Sequence, residues 1–354
     1  MDMRIDATSQ PLVSVVTPVY NEAQCLPECI ESVLAQTYQN WDYTIVDNCS
    51  TDESLAIARR YAARDSRIRI HENPRFLSVL PNHNFALRQI SPESKYCKMV
   101  FADDWIFPEC IERMVSLAEQ CPSVGIVGAY VLQGREVICT GLPYSTSVLS
   151  GREICRQHFL DRLYVFGSNN AVLFRADLVR SRDPFYNEED IHADTEACFA
   201  LLRTSDFGFV HQILTFTRVR ADSLSSTLTA FQTHYAGMLR HLLVHGPHYL
   251  TQDELRGRVQ CHISQYYGFL GKSLLLGHRE ILNYHKRKLV ETGFGFSWPR
   301  LMRGALATIS GHVLNPKSTV EKLLKTGSRL VLSNHKKNSV SGRVEGTGPG
   351  DSIV

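Results

Sequence analysis

Residues 11–54 read PLVSVVTPVYNEAQCLPECIESVLAQTYQNWDYTIVDNCSTDES, and this stretch decides the fold. Its first nine residues are rich in β-branched side chains and predict a strand that ends before Tyr20-Asn21-Glu22. Residues 41–46 (WDYTIV) predict a second strand. Between the two strands, apolar residues recur at helical spacing, namely Leu26, Ile30, Val33 and Leu34. A strand, a helix and a strand in this order are typical of parallel strands covered by helices.

The same alternation continues along the next sixty residues. Strands are predicted at 68–70 and 96–101, and helices at 55–63 and 81–90. Ser50 and Glu53 form a capping-box pattern before the first of these helices. We therefore expect an α/β fold with a mostly parallel sheet flanked by helices, in which ligands bind at the carboxyl ends of the strands.

The sequence beyond residue 120 changes character twice. Short strands are predicted at 125–132, 170–174 and 209–216, with a helix at 195–203. The segment 231–288 is helical in pattern, with a break at Gly246-Pro247. Residues 261–340 carry thirteen Lys and Arg but three Glu, and the last fourteen residues are Gly-rich and apolar-poor. We predict a domain at 11–225, a helical basic extension at 226–340 and a disordered tail at 341–354.

The composition excludes several classes of protein. The 354 residues are 44% hydrophobic and 21% charged, which excludes disordered and collagen-like chains. The net charge of +2 gives no indication of a nucleic-acid partner. The first ten residues contain no apolar signal-peptide core, and no apolar run approaches the roughly 18 residues of a membrane span. The ten scattered cysteines contain no CxxC, so we expect a soluble, cytoplasmic chain with free thiols.

Acidic residues follow three of the predicted strands. Glu22 follows the first, Asp47 the second, and Asp103-Asp104 the strand at 96–101. Adjacent carboxylates after a buried run are costly unless a cation or a hydrogen-bond donor meets them. Mg²⁺ or Mn²⁺ bound to phosphates suits such acids, since these ions prefer carboxylate and phosphate oxygens. The alternative is that an Asp caps the following helix.

The sequence resembles the glycosyltransferase family 2 domain, which has the GT-A fold. The resemblance begins in the opening stretch and covers about residues 11–225. Its further motifs, in order, are LPNHNFALRQ, YCKMVFADDWIFPECIERM, NNAVLFRADL, HADTEACFALL and GFVHQILTFTRVRADSLSS. The joint order of these motifs is highly specific. Over the C-terminal part, no motif is shared, and the sequence resembles the helical appendages of bacterial surface-polysaccharide transferases only in its general pattern.

The resemblance implies transfer of a sugar from a nucleotide-diphosphate donor with inversion at the anomeric carbon. Matched to the family's motifs, Pro18, Tyr20 and Glu22 line the nucleoside pocket. Asp47 meets the base or the ribose, since a carboxylate accepts hydrogen bonds from N–H or hydroxyl groups. Asn84 matches the asparagine that faces the nucleotide.

The resemblance also implies a metal site and a catalytic base. Asp103 and Asp104 match the metal-binding acids, with Asp104 the main ligand of Mg²⁺ or Mn²⁺ and Asp103 nearer the ribose. Asp194 matches the base that deprotonates the acceptor, although an Asp here can instead cap a helix. Two residues depart from the pattern. His83 stands where many members have Arg, and Arg220 stands where many have a metal-binding His; Arg220 cannot bind a cation but can pair with the diphosphate.

The expected partners are the nucleotide-sugar donor and a glycan or polyprenyl-linked acceptor. The basic C-terminal region, interleaved with aromatic residues such as Phe296 and Trp298, suggests contact with anionic lipid at the inner face of the membrane. The Leu/Tyr stripe at 265–276 indicates either helix core or a homodimer face.

The sequence is also compatible with two other functions. A catalytically inactive sugar-nucleotide-binding module and a nucleotidyltransferase are the two rivals. The intact acids disfavour the first, and the lack of a Gly-rich loop with a Lys after the first strand disfavours the second. The histidines 241, 245 and 248 have metal-like spacing, but the break at Gly246-Pro247 disfavours a metal site.

Overall fold

The computed structural model describes residues 10–220 and 224–314. The chain divides into two compact units, the first ending at His262 and the second beginning at Ile263. No helix within the described residues combines the length and the apolarity that crossing a membrane requires. All ten cysteines are free thiols, as expected. The predicted tail at 341–354 lies outside the described residues.

The first part of the chain alternates strands with helices, as the sequence predicts. Its elements are β1 (Val13–Val19), α1 (Leu26–Leu34), β2 (Trp41–Asp47), α2 (Ser54–Ala62), β3 (Ile68–Glu72), α3 (Val79–Leu87) and β4 (Tyr96–Met99). The four strands are parallel, in the spatial order β3-β2-β1-β4. Their carboxyl ends therefore lie at one edge of the sheet.

The other half of the sheet is mixed. Its elements are β5 (Trp105–Ile106), α4 (Cys110–Gln120), β6 (Val124–Gln133), β7 (Glu136–Ile138), β8 (Val148–Leu149), α5 (Gly151–Phe159), β9 (Leu173–Arg175), α6 (Ala176–Arg180), α7 (Ala193–Leu201) and β10 (Asp206–Thr217). The order continues β4-β9-β6-β10-β5. Strand β9 is antiparallel to both neighbours, and β6 is parallel to β10. The α/β class is confirmed, with antiparallel pairs concentrated in this half.

Two apolar clusters form the core of the first unit. Val13 and Val15 of β1 belong to one cluster, and Val16 belongs to the other. Because successive side chains of a strand point to opposite faces, the clusters lie on opposite sides of the sheet. Each fully buried Val or Ile side chain contributes about 1.5–3 kcal/mol to the free energy of unfolding. The sheet is thus covered on both faces, and polar residues collect at its edges.

The start of α2 differs from the predicted capping box. Ser50 Oγ accepts a hydrogen bond from the backbone N–H of Asn21 (3.1 Å). The carboxylate of Asp52 accepts from the N–H groups of Ala23 (3.0 Å) and Ser54 (2.9 Å). These contacts fasten the loop after β2 to the loop after β1. A local pattern does not reveal such a connection between separate strand ends.

The C-terminal part is helical, as predicted. Its helices are α8 (Leu224–Phe231), α9 (His234–Val244), α10 (Gly246–Tyr249), α11 (Gln252–Leu275), α12 (Arg279–Glu291) and α13 (Trp298–Leu314). The predicted break is confirmed, because α9 ends at Val244 and only the short α10 follows before α11. Helices α8 to α10 belong to the first compact unit, although the sequence analysis assigned them to the extension.

The second unit has its own core. The stripe predicted as helix core or dimer face contributes Tyr266, Tyr267 and Leu270, which are at most 3% exposed. Gly304 lets α13 approach α11 closely, since a Cβ there would lie 2.1 Å from the Tyr267 carbonyl oxygen. The buried part of the stripe is therefore helix core, and the homodimer stays a prediction.

Candidate active site at the strand ends and at α7

The carboxyl edge of β1 and β2 carries the first predicted site residues. Strand β4 pairs with β1 only as far as Val16, so Pro18 lies beyond that ladder and its missing N–H costs no bond to β4. Pro18 is buried within the strand, while Tyr20 is 45% exposed in the loop that follows. Tyr20 is therefore the accessible side chain at this strand end.

Asp47 is the last residue of β2 and lies opposite Val19 in the parallel register. It is only 4% exposed. Its Oδ2 accepts a hydrogen bond from the N–H of Ser50 (3.1 Å), whereas its buried Oδ1 has no hydrogen-bond partner within the described residues. A buried carboxylate oxygen without a partner is costly, so an N–H or O–H of a bound ligand would stabilise it.

Two exposed aromatic rings lie at the same edge. Tyr20 contacts Phe76, which is 57% exposed, with ring centroids 4.8 Å apart. Asn48 holds the loop that carries Phe76, donating from Nδ2 to the Leu77 carbonyl (2.8 Å) and accepting at Oδ1 from the Leu77 N–H (2.9 Å). Exposed rings offer a stacking surface for a planar group. Sequence reasoning missed Phe76, whose only signal was an aromatic residue in a polar loop.

Asp103 and Asp104 follow β4 and lie in different environments. Asp104 is 3% exposed, whereas the side chain of Asp103 is 26% exposed. Asp104 Oδ1 accepts a hydrogen bond from the backbone N–H of Arg218 (2.8 Å). Burial raises the pKa of Asp104 to about 7, although that hydrogen bond lowers it, and the charge of Asp103 adds to the rise. The charge of Asp104 is thus poorly compensated by the protein alone.

This pair of acids fits a divalent cation. A bound Mg²⁺ or Mn²⁺ would restore the charged form of a carboxylate whose pKa is raised by burial. Such ions are usually held by one or two carboxylates together with substrate phosphates. Over residues 10–220 and 224–314, no group of three or more His, Cys, Asp or Glu side chains could hold an ion. Phosphate and water oxygens would therefore have to complete the coordination.

Arg220 and Glu22, both predicted to bind the donor, form an ion pair. Arg220 donates from Nη1 to one carboxylate oxygen (2.7 Å) and from Nη2 to the other (2.9 Å). The Arg220 Nε lies 3.9 Å from Asp103 Oδ2. A guanidinium beside these acids cannot bind a metal, but its planar fork matches a phosphate. Arg218 forms a similar pair with Glu28 (2.6 Å).

Asn84 connects α3 with the segment that precedes α7. Its Nδ2 donates to the Tyr186 carbonyl (2.9 Å) and to Glu188 Oε1 (3.0 Å), and its Oδ1 accepts from the Tyr186 N–H (2.7 Å). Both amide N–H groups are therefore in use within the protein. The contact between Asn84 and the nucleotide stays a prediction.

His83 links the strand-end acids with the same segment. Its ring stacks on Phe101 at a centroid distance of 5.2 Å and meets Tyr186 edge-on at 6.3 Å. Burial lowers the pKa of His83 to about 4, so the ring is neutral at pH 7. His83 therefore cannot supply the positive charge that an arginine would bring to this position.

Asp194 is the second residue of α7, so it does not occupy the N-cap position, which is His192. Its Oδ1 accepts a hydrogen bond from the N–H of Thr195 (2.7 Å). Burial raises the pKa of Asp194, although the Thr195 backbone and the charge of His192 lower it. After burial, the charge of Asp194 is the next cause that raises the pKa of Tyr186. Tyr186 is the residue whose ring meets His83 edge-on.

Sequence reasoning missed the residues that hold the Asp194 segment. His241 of α9 and His245, the residue that caps the end of α9, contact the carboxylates of Asp190 and Glu196. Their spacing of four residues was the available signal, and it resembled a weak metal pattern. In the structure, these histidines serve as partners of acids.

Comparison with known proteins agrees with this architecture. Residues 14–180 match the family model "Glycosyl transferase family 2". An uncharacterized glycosyltransferase of Haemophilus influenzae is 27% identical over 188 residues, which are 52% of this chain and 58% of the relative. Glycosyltransferase GlyG of Streptococcus pneumoniae is 31% identical over 121 residues, 34% of this chain and 39% of the relative. The matched part therefore spans less than two thirds of these relatives.

Solved structures share the fold over most of the chain. TarS 1-349 of S. aureus in complex with UDP-GlcNAc has a TM-score of 0.61 at 14% identity, covering 89% of this chain and 92% of that one. Mannosyltransferase PcManGT from Pyrobaculum calidifontis in complex with GDP-Man and Mn²⁺ has a TM-score of 0.54 at 15% identity, covering 97% and 91%. With the family match over residues 14–180, these findings show a glycosyltransferase family 2 domain in that part of the chain and the GT-A fold.

Proposed function

We propose that this protein is an inverting glycosyltransferase. It moves a sugar from a nucleotide-diphosphate donor to a glycan or lipid-linked acceptor in surface polysaccharide synthesis. The observation that carries the proposal is the division of the acids between two environments. Asp103 and Asp104 form a pair at the strand ends, whereas Asp194 lies apart from them on α7 with a raised pKa. Sugar transfer needs these two sets of groups, one for the leaving diphosphate and one for the acceptor.

The donor nucleoside would bind over β1 and β2. The unpartnered Oδ1 of Asp47 would accept a hydrogen bond from the base or the ribose. Tyr20 and Phe76 would provide stacking surface for the base, and Pro18 shapes the floor of the pocket from within β1. Glu22 would contribute by orienting Arg220 through their ion pair.

The diphosphate would lie against Asp103, Asp104 and Arg220. The two acids would hold Mg²⁺ or Mn²⁺, which would stabilise the negative charge that develops on the leaving nucleoside diphosphate. Arg220 would bind a phosphate oxygen directly.

The acceptor side of the reaction is assigned to Asp194. Its carboxylate would take the proton of the acceptor hydroxyl as that oxygen bonds to the anomeric carbon. The bond from that carbon to the diphosphate oxygen breaks on the opposite face, so the configuration inverts. Burial raises the pKa of Asp194, which makes its carboxylate a stronger base than that of an exposed aspartate.

Donor hydrolysis distinguishes this proposal from an inactive binding module. We expect slow, Mn²⁺-dependent release of free nucleoside diphosphate from one member of a panel of UDP-, GDP- and dTDP-sugars. The same donor should raise the melting temperature, with a stabilisation of about 2.7 kcal/mol at a hundredfold excess over its dissociation constant. Asp104→Asn is the matched negative control. Stabilisation without release by the wild type supports the binding module, and release of pyrophosphate from a nucleoside triphosphate and a sugar phosphate supports the nucleotidyltransferase.

We also propose that the second unit attaches to anionic lipid at the inner face of the membrane. One face of α13 exposes Trp298, Met302, Leu306 and Ile309, each at least 46% exposed. The spacing of these side chains places them on one helix face. The described part of α13 contains Arg300 and Arg303 but no Asp or Glu. An apolar stripe with basic neighbours is typical of helices that lie in the lipid interface.

Vesicle co-sedimentation tests the attachment. The double variant Trp298→Ser/Leu306→Ser should lose binding to vesicles that contain phosphatidylglycerol, and high salt should weaken binding of the wild type. Tyr144→Ser is the control, since Tyr144 is an 83% exposed aromatic residue of the first unit. Equal binding of the double variant and the control would remove the membrane proposal without affecting the catalytic one.

A further inference from the structure

Helix α9 contacts the acidic segment 190–196 at Asp190, which precedes Asp194 in the sequence. His241 Nε2 lies 3.0 Å from Asp190 Oδ2, and both side chains are at most 4% exposed. Asp190 Oδ1 accepts a hydrogen bond from the N–H of His192 (3.0 Å). Asp190 therefore joins α9 to the backbone just before Asp194. Because the carboxylate only accepts, His241 donates this bond.

A second histidine, His245, follows the last residue of α9 and holds the other side of Asp194. His245 Nε2 lies 3.2 Å from Glu196 Oε1, and the other oxygen of Glu196 accepts from Arg182 (2.6 Å). Arg203 Nη2 lies 3.0 Å from His245 Nδ1. An arginine only donates, so Nδ1 accepts and Nε2 carries the proton that is given to Glu196. The arginine thus sets the tautomer that the contact needs.

Helix α9 packs closely against His192 of the segment 190–196. His192 Nε2 lies 3.2 Å from Thr233 Oγ1. Gly237 faces the His192 ring, and a Cβ at that glycine would lie 2.3 Å from its Cδ2. The helix can therefore approach this closely only because residue 237 has no side chain. The segment is held by buried polar contacts on both sides of Asp194.

We propose that His241 and His245, named here the histidine clamp, are positioning residues for the transfer reaction. They fix Asp190 and Glu196 and thereby set the orientation of Asp194 toward the acceptor. The N–H of His245 donates to the His241 carbonyl (2.8 Å), so the last turn of α9 and its C-cap present both histidines to the two acids. The inference rests on the proposed function only in taking Asp194 as the base. It makes α9, outside the matched family segment 14–180, part of the catalytic unit.

The test compares removal of the clamp with its conservative replacement. His245→Leu and His241→Leu should lower the single-turnover rate of transfer by roughly 10- to 100-fold, since a misplacement of about 1 Å can cost 10²-fold. The dissociation constant of the donor should stay within about twofold of the wild type, because the strand-end site is untouched. His245→Gln, whose amide nitrogen can still donate to Glu196, should restore most of the rate. His211→Leu is the control, a histidine of β10 that is hydrogen-bonded to Tyr130 (2.9 Å) and to the Thr146 carbonyl (2.8 Å).

A double-mutant cycle with Asp194→Asn separates positioning from general damage. If the clamp acts through Asp194, His245→Leu costs no further rate when Asp194→Asn is already present. An additional 10-fold loss in the double variant overturns the inference, as does a donor affinity that falls together with the rate. Full activity of the single variant Asp194→Asn contradicts the base itself and hence the proposed function. The melting temperature of each variant identifies any that fails to fold, and Gly237→Ala, which pushes α9 from His192, then serves as the second probe.

Discussion

The strand-end site and the segment around Asp194 are built in different ways. The strand-end acids lie at the last residue of a parallel strand (Asp47) or in the loop after one (Asp103-Asp104), so the sheet itself brings them to one edge. Asp194 instead lies at the start of α7, in a segment held by Asn84 from α3 and by the histidine clamp from α9. The order of the strands positions the first site, whereas side chains that are distant in sequence position the second.

This difference has a physical consequence. The strand-end carboxylates are poorly compensated by the protein, as the unpartnered oxygen of Asp47 and the raised pKa of Asp104 indicate. Their stabilisation must come from ligands. The acids on either side of Asp194, by contrast, are paired within the protein. In the proposed mechanism, the donor side would therefore be completed by the ligands that it binds, whereas the segment on the acceptor side is already held by contacts within the protein.

The largest expected effect is that of Asp104→Asn. We expect transfer and metal-dependent donor binding to be lost, because a neutral amide is a poor cation ligand. The melting temperature should be unchanged or higher, since the amide oxygen can still accept from Arg218 and the cost of a buried charge disappears. Calorimetry with Mn²⁺ and donor measures the first effect, and thermal unfolding the second. Full activity in this variant would sink the assignment of the metal site.

Asp194→Asn tests the other region and should cost less. Asparagine keeps the oxygen that accepts from Thr195 but cannot take a proton, so the rate should fall by roughly 10² to 10⁴. Donor affinity and melting temperature should hardly change. Single-turnover transfer, donor titration and unfolding on one preparation check all three. A normal rate would move the base to Glu188 or Glu189, because Asp190 is buried and engaged by His241.

The two regions also differ in how far the sequence predicts them. The alternation of strands and helices and the acids at the strand ends predict the sheet edge, because parallel strands must end together. The ion pair of Glu22 with Arg220 joins residues 198 positions apart, and no local pattern indicates it. The same holds for His241 and His245, whose acidic partners are remote in sequence. Long-range pairing decides these contacts, and the spacing of the histidines does not indicate their acidic partners.

Acid should weaken the Asp194 segment through Asp190. Burial raises the pKa of Asp190, but the hydrogen bond and charge of His241 outweigh this and bring it to about 2, below the usual 3.8. A depressed pKa stabilises the fold above pH 3.8, by about 2 kcal/mol, and this contribution disappears as the pH falls toward 2. Urea unfolding should show the stability gap between wild type and Asp190→Asn shrinking by about 1 kcal/mol from pH 6 to pH 3. A gap that does not change with pH contradicts this.

The smallest effect on the binding of a ligand is expected at Arg220, which already has a partner within the protein, Glu22. A charge-assisted hydrogen bond to phosphate contributes about 1.5–3 kcal/mol. Binding the diphosphate, however, requires Arg220 to share or exchange Glu22, to which it now donates two bonds. The net loss in Arg220→Ala should therefore be close to 1.4 kcal/mol, or about tenfold in the dissociation constant of the nucleoside diphosphate.

The role of Arg220 is tested by measuring the affinity for the diphosphate in a series of variants and at several salt concentrations. Arg220→Lys should recover only part of the affinity, because an ammonium cannot form the planar double contact. Raising the salt concentration should weaken the wild type more than Arg220→Ala. Arg69→Ala is the matched control, an arginine paired with Asp42 near the amino end of β2. If the lysine and alanine variants bind the diphosphate as tightly as the wild type, Arg220 serves only to hold Glu22. The negative charges at the strand ends would then be compensated within the protein rather than by a ligand.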